Sequence, residues 1–386
     1  FDTERYSYQE LATNAIMYTG GVAFNVRAVS EAENANAYHI YFSAKGKALV
    51  EKLPQLFDLL QAIALESKLD DVKRFQELVS ELKTDWDNNF FTRGQTVAIS
   101  RLYSYCADGA RVNEQDEFSY YQFLKQLVEN FDAQAPQLLQ KLQAMLQRFY
   151  QKSAFVLSYS CDREDREYVK TQCLDFIAKL PEADTKGEPE VLPVRVTNEA
   201  ITTAGKVQYV AAGGNYAKFG HKYVGAMAVL ETILRYEYLW TKIRIQGGAY
   251  GATARFELNG LGVFASYRDP QLEKSLQAYQ ELAAWLKNVE FPERELNKYV
   301  IGTISGMDTP LTNTMRIDKA STQYLKQVSD ELRQRIRNEV INVTNEDLQK
   351  LGKVVEDMLS DGLICVVGGK QPIEANKELF TEIINA

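Results

Sequence analysis

Arg244 and Tyr250 stand on either side of a double glycine in the stretch YLWTKIRIQGGAYGATARF (Tyr238–Phe256). A guanidinium clamps carbonyls or carboxylates through a planar fork of donors. A phenol can donate to an oxygen on which negative charge develops. Gly247 and Gly248 would let a second backbone come close, because neither carries a Cβ. The four together suit an extended chain held beside a polarised carbonyl. They also suit plain structure: an arginine near a helix C-terminus favours the dipole, glycines end helices, and a tyrosine opens a strand. The residues alone leave both readings open.

Other chemistry is poorly served. The chain has two histidines, His39 in "YHIYF" and His221 in "FGHKYVG", and neither has another histidine three or four residues away. Both H-E-x-x-H and H-x-x-E-H are therefore missing, and no metal ligands are assigned. Cys106, Cys161, Cys173 and Cys365 lack paired spacing, so neither a zinc knuckle nor a disulfide framework is indicated, and a reducing compartment fits. "GGNYAKFG" (Gly213–Gly220) lies between a strand and a helix but is not a phosphate loop, since no lysine there is followed by Ser or Thr. Net charge of −8 and a pI near 5.2 argue against nucleic acid and anionic membranes as partners. No apolar run approaches the ~18 residues of a membrane span. A chain opening on Phe1 is expected to be a processed or excised piece.

The arginine must sit at the end of an apolar helix carrying Leu239, Ile243 and Ile245, and the tyrosine at the start of a strand. Around them "KVQYVAA" reads as a strand and Tyr223–Leu234 as a helix. "ATARFEL", an Asn259-Gly260 turn and "GVFASY" form a hairpin. Helices are expected from Pro270 and Pro292, and Thr344 opens another with a capping-box-like start. "LICVVGG" and one last helix close the chain. Upstream, residues 20–44 alternate as a hairpin whose strands are joined by a long polar loop, "SEAENAN". A helix follows with Leu49, Leu53, Leu56, Leu60 and Ile63 in register, kinked early by Pro54. Further helices carry Phe75, Leu78 and Leu82, then Phe118–Phe131, then Leu138–Phe149 with Pro136 in its first turn. The strand "AFVLSYS" (Ala154–Ser160) and a helix ending near Leu180 complete this half.

The halves rhyme. His39–Ile63 aligns without gaps on Gly262–Leu286, so Ile40 meets Val263, Leu49 meets Leu272 and Leu53 meets Leu276. The spacing predicts an α+β fold of two tandem homologous domains, residues 1–185 and 186–386, each a mainly antiparallel sheet with helices on one face. Pro181–Val196, with three prolines and no period, reads as the linker, and limited proteolysis is expected to cut there first.

"LWTKIRIQGGAYGA", followed by two strands and "SYRDP", resembles the C-terminal-half motif of the insulinase (pitrilysin) family of zinc metallopeptidases, in its presequence-protease branch. "TGGVAFNVRA" and "NNFFTRGQTVAISRLYSY" are similar to that family's third domain. The resemblance implies four similar domains in two hinged halves that close around unfolded peptides, with this chain as domains three and four. It implies Arg244 and Tyr250 as catalytic residues, holding the substrate main chain and the developing oxyanion. Gly247 and Gly248 would then be substrate-binding. Zinc would be the cofactor of the complete enzyme, bound by an N-terminal half that is this chain's partner, and none by this chain. A bacterial cytoplasm or an organelle matrix is the expected location. The competing expectation is a stand-alone, non-catalytic peptide-binding or scaffolding subunit that pairs with a separate zinc-bearing chain.

Overall fold

The computed structural model describes residues 1–152, 155–182, 192–193 and 195–386. In chain order the first half holds α1 (Tyr8–Tyr18), β1 (Val22–Glu31), β2 (Asn34–Gly46), α2 (Leu53–Glu66), α3 (Val72–Cys106), α4 (Asp108–Glu114), α5 (Phe118–Glu129), α6 (Phe131–Phe149) and α7 (Arg166–Ala178). The second half holds β3 (Glu199–Thr203), β4 (Gln208–Asn215), α8 (Gly225–Tyr236), a π-helical stretch (Trp240–Gln246), β5 (Gly251–Phe256) and β6 (Leu261–Tyr267). It ends with α9 (Leu272–Lys287), α10 (Glu293–Met307), α11 (Asn313–Leu325), α12 (Asp330–Ile341), α13 (Asn345–Leu359), β7 (Leu363–Gly369), α14 (Lys370–Ala375) and β8 (Glu382–Asn385).

The chain is α+β. Its main sheet has six strands in the order β5-β6-β4-β7-β3-β8, antiparallel from β5 to β7 and parallel where β3 meets β7 and β8. β4 is buried along nearly its whole length, as a strand covered on both sides must be. Val210, Ala212 and Phe264 face one core with Leu230, Leu282 and Val355 of α8, α9 and α13. Tyr209, Ala211, Val263 and Val367 face the other, with Phe90, Val97 and Leu102 of α3. Helices therefore lie on both faces of this sheet, and the second cover comes from the first half of the chain.

α3 is the largest departure from expectation. The sequence marks this helix only by Phe75, Leu78 and Leu82, and it runs for 35 residues, straight through Gly94. Gly94 is a packing position: a Cβ there would lie 2.2 Å from the Tyr209 ring. Tyr209 also donates its hydroxyl to the carbonyl of Phe91, one helical turn away. Gly94→Ala gains about 1 kcal/mol of helix propensity but drives a methyl into a closed core, which costs about 1–3 kcal/mol or more. The net outcome expected is a lower urea midpoint at unchanged m-value.

Smaller corrections follow the same logic. The polar run Ser30–Asn36 is not a long loop, because β1 and β2 pair up to Glu31 and Asn34 and turn through Ala32 and Glu33. The tip is held by the second half, where the Lys326 carbonyl accepts from the Ala32 N–H at 2.9 Å and Gln327 donates to Glu31. α2 begins at Leu53, so Pro54 starts the helix and does not kink it. α6 begins at Phe131 and Pro136 lies inside it. Pro292 caps α10 and α9 starts two residues beyond Pro270. The capping box at Thr344 forms, closed by Asp347. Residues 155–160 of the expected strand Ala154–Ser160 pair with nothing regular, so the first half's sheet has only β1 and β2 among the described residues. Of the expected linker, residues 183–191 and 194 lie outside the described residues. The strand–turn–helix order does recur at β2–α2 and β6–α9. Burial does not: Ile40 is 52% exposed while its counterpart Val263 is fully buried.

A buried charge cluster joins the halves. Arg101 of α3 forks onto Glu199 of β3 at 2.8 and 2.7 Å and donates to Glu114 of α4 at 2.9 Å. Tyr105 donates to Glu199 at 2.8 Å, and Arg195 pairs with the other oxygen of Glu114. The carboxylates hold the Arg101 guanidinium above its ordinary range even though burial alone would lower it.

Candidate functional site

Helix α8 is followed by a helical turn and then by the π-helical stretch, where one extra residue per turn re-aims the side chains. Trp240 and Arg244 lie on the same face, and the guanidinium carbon stands 4.2 Å from the indole centroid. The helix must then stop and turn back along the sheet, and the glycines allow it. Gly247 is buried, and a Cβ on it would meet the Ile243 carbonyl at 2.5 Å. Gly248 takes φ +81°, which side chains rarely adopt. The Gly248 and Ala249 N–H groups then donate to the carbonyls of Arg244 and Ile243 at 3.0 and 3.1 Å.

This turn delivers Tyr250 to the edge of the sheet. Its N–H donates to the Tyr267 carbonyl at 3.0 Å, and its ring stands edge-on to the Tyr267 ring at 5.9 Å. Arg244 also lies over the Tyr250 ring, its guanidinium carbon 5.6 Å from the centroid. Tyr250 is 65% exposed, Arg244 is exposed too, and among the described residues no carboxylate pairs with Arg244. The structure thus brings Arg244 and Tyr250 together on one open surface. The double glycine is accounted for by the turn itself; of the two, only Gly248 is exposed.

Sequence reasoning missed three residues of this surface. Trp240 could have been found from its spacing, four residues before Arg244 on one helical face. Tyr267 ends β6, which pairs with β5, and Arg268 follows it; the sequence marks both only as part of "SYRDP" and gives them no role. Beyond Tyr250, β5 is an edge strand, with no strand among the described residues paired on the side away from β6.

A raised carboxyl lies at the far end of that strand. Glu231 of α8 accepts the Phe256 N–H at 2.6 Å, and burial raises its pKa to about 7. Its folded pKa is above the ordinary 4.5, so the folded state binds the extra proton. This contribution to stability is complete below about pH 4.5 and is lost as pH rises through about 7. Glu231→Gln keeps the acceptor without the charge. It is expected to exceed the wild type in urea midpoint at about pH 8 and to match it at about pH 5.

Zinc was expected elsewhere, and the residues here do not suit it. Among the described residues no group of three or more His, Cys, Asp or Glu could hold a metal ion. His221 is committed to Asp357 at 2.7 Å, and His39 is exposed on β2 beside Tyr41.

Known proteins share this sequence and this architecture. Residues 198–370 match the family model described as the PreP C-terminal domain, and residues 1–127 match a second model described as peptidase-associated. Protein HypA of Clostridium perfringens is 32% identical over 382 residues, covering 99% of this chain and 39% of that protein. Presequence protease 1, chloroplastic/mitochondrial, of Arabidopsis thaliana is 26% identical over 337 residues, covering 86% of this chain and 31% of that protein. The chain belongs to the insulinase (pitrilysin) family. It corresponds to the C-terminal half of that family's proteins and spans less than two-fifths of the length of these curated relatives. The crystal structure of pitrilysin superposes with a TM-score of 0.57 at 12% identity, covering 93% of this chain and 36% of that one. At that identity the likeness speaks for the insulinase-family fold alone. No helix among the described residues is long and apolar enough to cross a membrane.

Proposed function

We propose that this chain is the zinc-free half of a metalloendopeptidase that degrades unfolded oligopeptides inside a closed chamber. Its domains are residues 1–185 and 186–386, and its partner is an N-terminal half that binds the zinc. Arg244 holds the substrate main chain, and Tyr250 donates to the carbonyl oxygen as it becomes an oxyanion. Gly248, and Gly247 beneath it, give that main chain room to approach. The observation that carries this reading is the exposed contact between Arg244 and Tyr250, a cation without a counterion among the described residues beside a free phenol. A donor fixed where charge develops is worth far more than one that must reorganise to reach it.

The test begins with the chain alone. Purified by itself it is expected to hold no stoichiometric zinc and to cleave no peptide, because a zinc site needs three or four protein ligands. Elemental analysis finding one tightly held zinc per chain overturns the assignment. The stand-alone, non-catalytic subunit is the rival reading. Sequencing the reading frame upstream of Phe1 separates the two: H-x-x-E-H on the same polypeptide supports the enzyme half.

A further inference from the structure

The ring stack at the candidate site does not end at Tyr250. Tyr267 leads on to Arg268, whose guanidinium carbon stands 5.5 Å from the Tyr267 ring centroid and 5.8 Å from that of Phe91 on α3. Arg268 has φ +51°, a left-handed conformation that a glycine would adopt without strain. Two other non-glycine residues share that region, and each has a local reason. The Asn198 side chain accepts the Ile364 N–H, and Gln327 follows the end of α11 and bonds to Glu31. Arg268 meets the Tyr209 and Tyr267 phenols, yet among the described residues no carboxylate lies within ion-pair reach of it. Its neighbour Asp269 is turned inward, accepting from the Ser275 hydroxyl and the Gln271 N–H.

The turn is nonetheless firmly held. The main chains of Gln208 and Asp269 exchange hydrogen bonds at 2.7 Å in both directions. Strain that the surroundings over-determine in this way clusters at ligand-contact positions. A guanidinium has more N–H donors than the two phenol oxygens of Tyr209 and Tyr267 can accept, and the exposed remainder suits the oxygens of a carboxylate. An extended peptide advances about 3.3 Å per residue, so a carboxylate within roughly three residues of the carbonyl at Tyr250 reaches Arg268.

We propose that Arg268 is a specificity-determining residue that binds a carboxylate of the peptide held at Arg244 and Tyr250. This rests on the peptide-binding reading given above. The carboxylate can be an Asp or Glu side chain or the peptide's own C-terminus, and the same fork serves either.

The test uses the complete enzyme and one unstructured decapeptide in four forms: a single Glu or Gln near the cleavage point, each with a free or amidated C-terminus. Arg268→Gln is expected to raise KM about tenfold, the loss of roughly one charge-assisted pair, with kcat little changed. That rise should appear only on forms that carry the carboxylate Arg268 reads. A rise that follows Glu names the side chain; a rise that follows the free terminus names the C-terminus. Arg268→Lys keeps the charge without the fork and should recover part of the loss. Arg268→Gly relieves the strained φ, so Tm should not fall. A marked fall in Tm for this variant makes Arg268 a structural residue and overturns the proposal. Equal losses on all four peptides, or no loss on any, overturn it as well. Tyr250→Phe measured alongside separates the failures: if it lowers kcat while Arg268→Gln changes nothing, only the role of Arg268 falls. If both variants match the wild type, the peptide site falls with it.

Discussion

Glu199→Ala is expected to destabilise the chain by about 3–5 kcal/mol, the cost of leaving one partner of a buried ion pair unmatched. Glu199 is buried and accepts three hydrogen bonds, two from Arg101 and one from Tyr105. Removing it leaves the Arg101 guanidinium one carboxylate, Glu114, which already serves Arg195, and the Ser119 hydroxyl. Nothing apolar can compensate for a desolvated cation. The effect should appear as a lower urea midpoint, and a double-mutant cycle with Arg101→Leu should give a coupling of at least about 1.5 kcal/mol. Additive losses would mean that the pair is merely adjacent. Arg101 and Glu199 are 98 residues apart, so the cycle also reports whether the two halves unfold together.

Tyr250→Phe, made in the complete enzyme, is expected to lower kcat by about 10²–10³ with a smaller change in KM, or ~3–4 kcal/mol of transition-state stabilisation. The exposed ring rests on Arg244 and Tyr267, and its hydroxyl is not needed for that packing, so folding should survive. Arg244→Ala should damage both parameters, since a main-chain clamp acts on bound substrate and on the transition state alike. Near-wild-type kcat/KM in both variants, with zinc content and stability intact, would return the pair to a helix end and an ordinary strand.

Periodicity carried most of the elements, because one buried face repeats every 2 or 3.6 residues. It failed where burial was on two sides or came from far away. α3 lies over a sheet more than a hundred residues downstream, and its Gly94 makes sense only with the Tyr209 ring in place. β3 and β8 are short and pair in parallel with partners distant in sequence, so neither carries a turn signal. The polar tip of the first hairpin reads as a loop because its contacts belong to the far half. At the site, the stretch from Arg244 to Tyr250 was legible as a unit. Tyr267 and Arg268 were visible only inside "SYRDP", without a role, because a backbone angle and a ring stack across strands leave no mark in local composition.

The position of β3 bears on how this chain is made. It sits between β7 and β8, which are synthesised long after it, and the same sheet takes α3 as its lid. A ribosome delivers roughly 5–20 residues per second, so α3 must wait many seconds with an apolar face uncovered. The sheet cannot close until β7 and β8 have left the exit tunnel. Folding of this sheet therefore waits on strands made long after α3, a topology of high contact order.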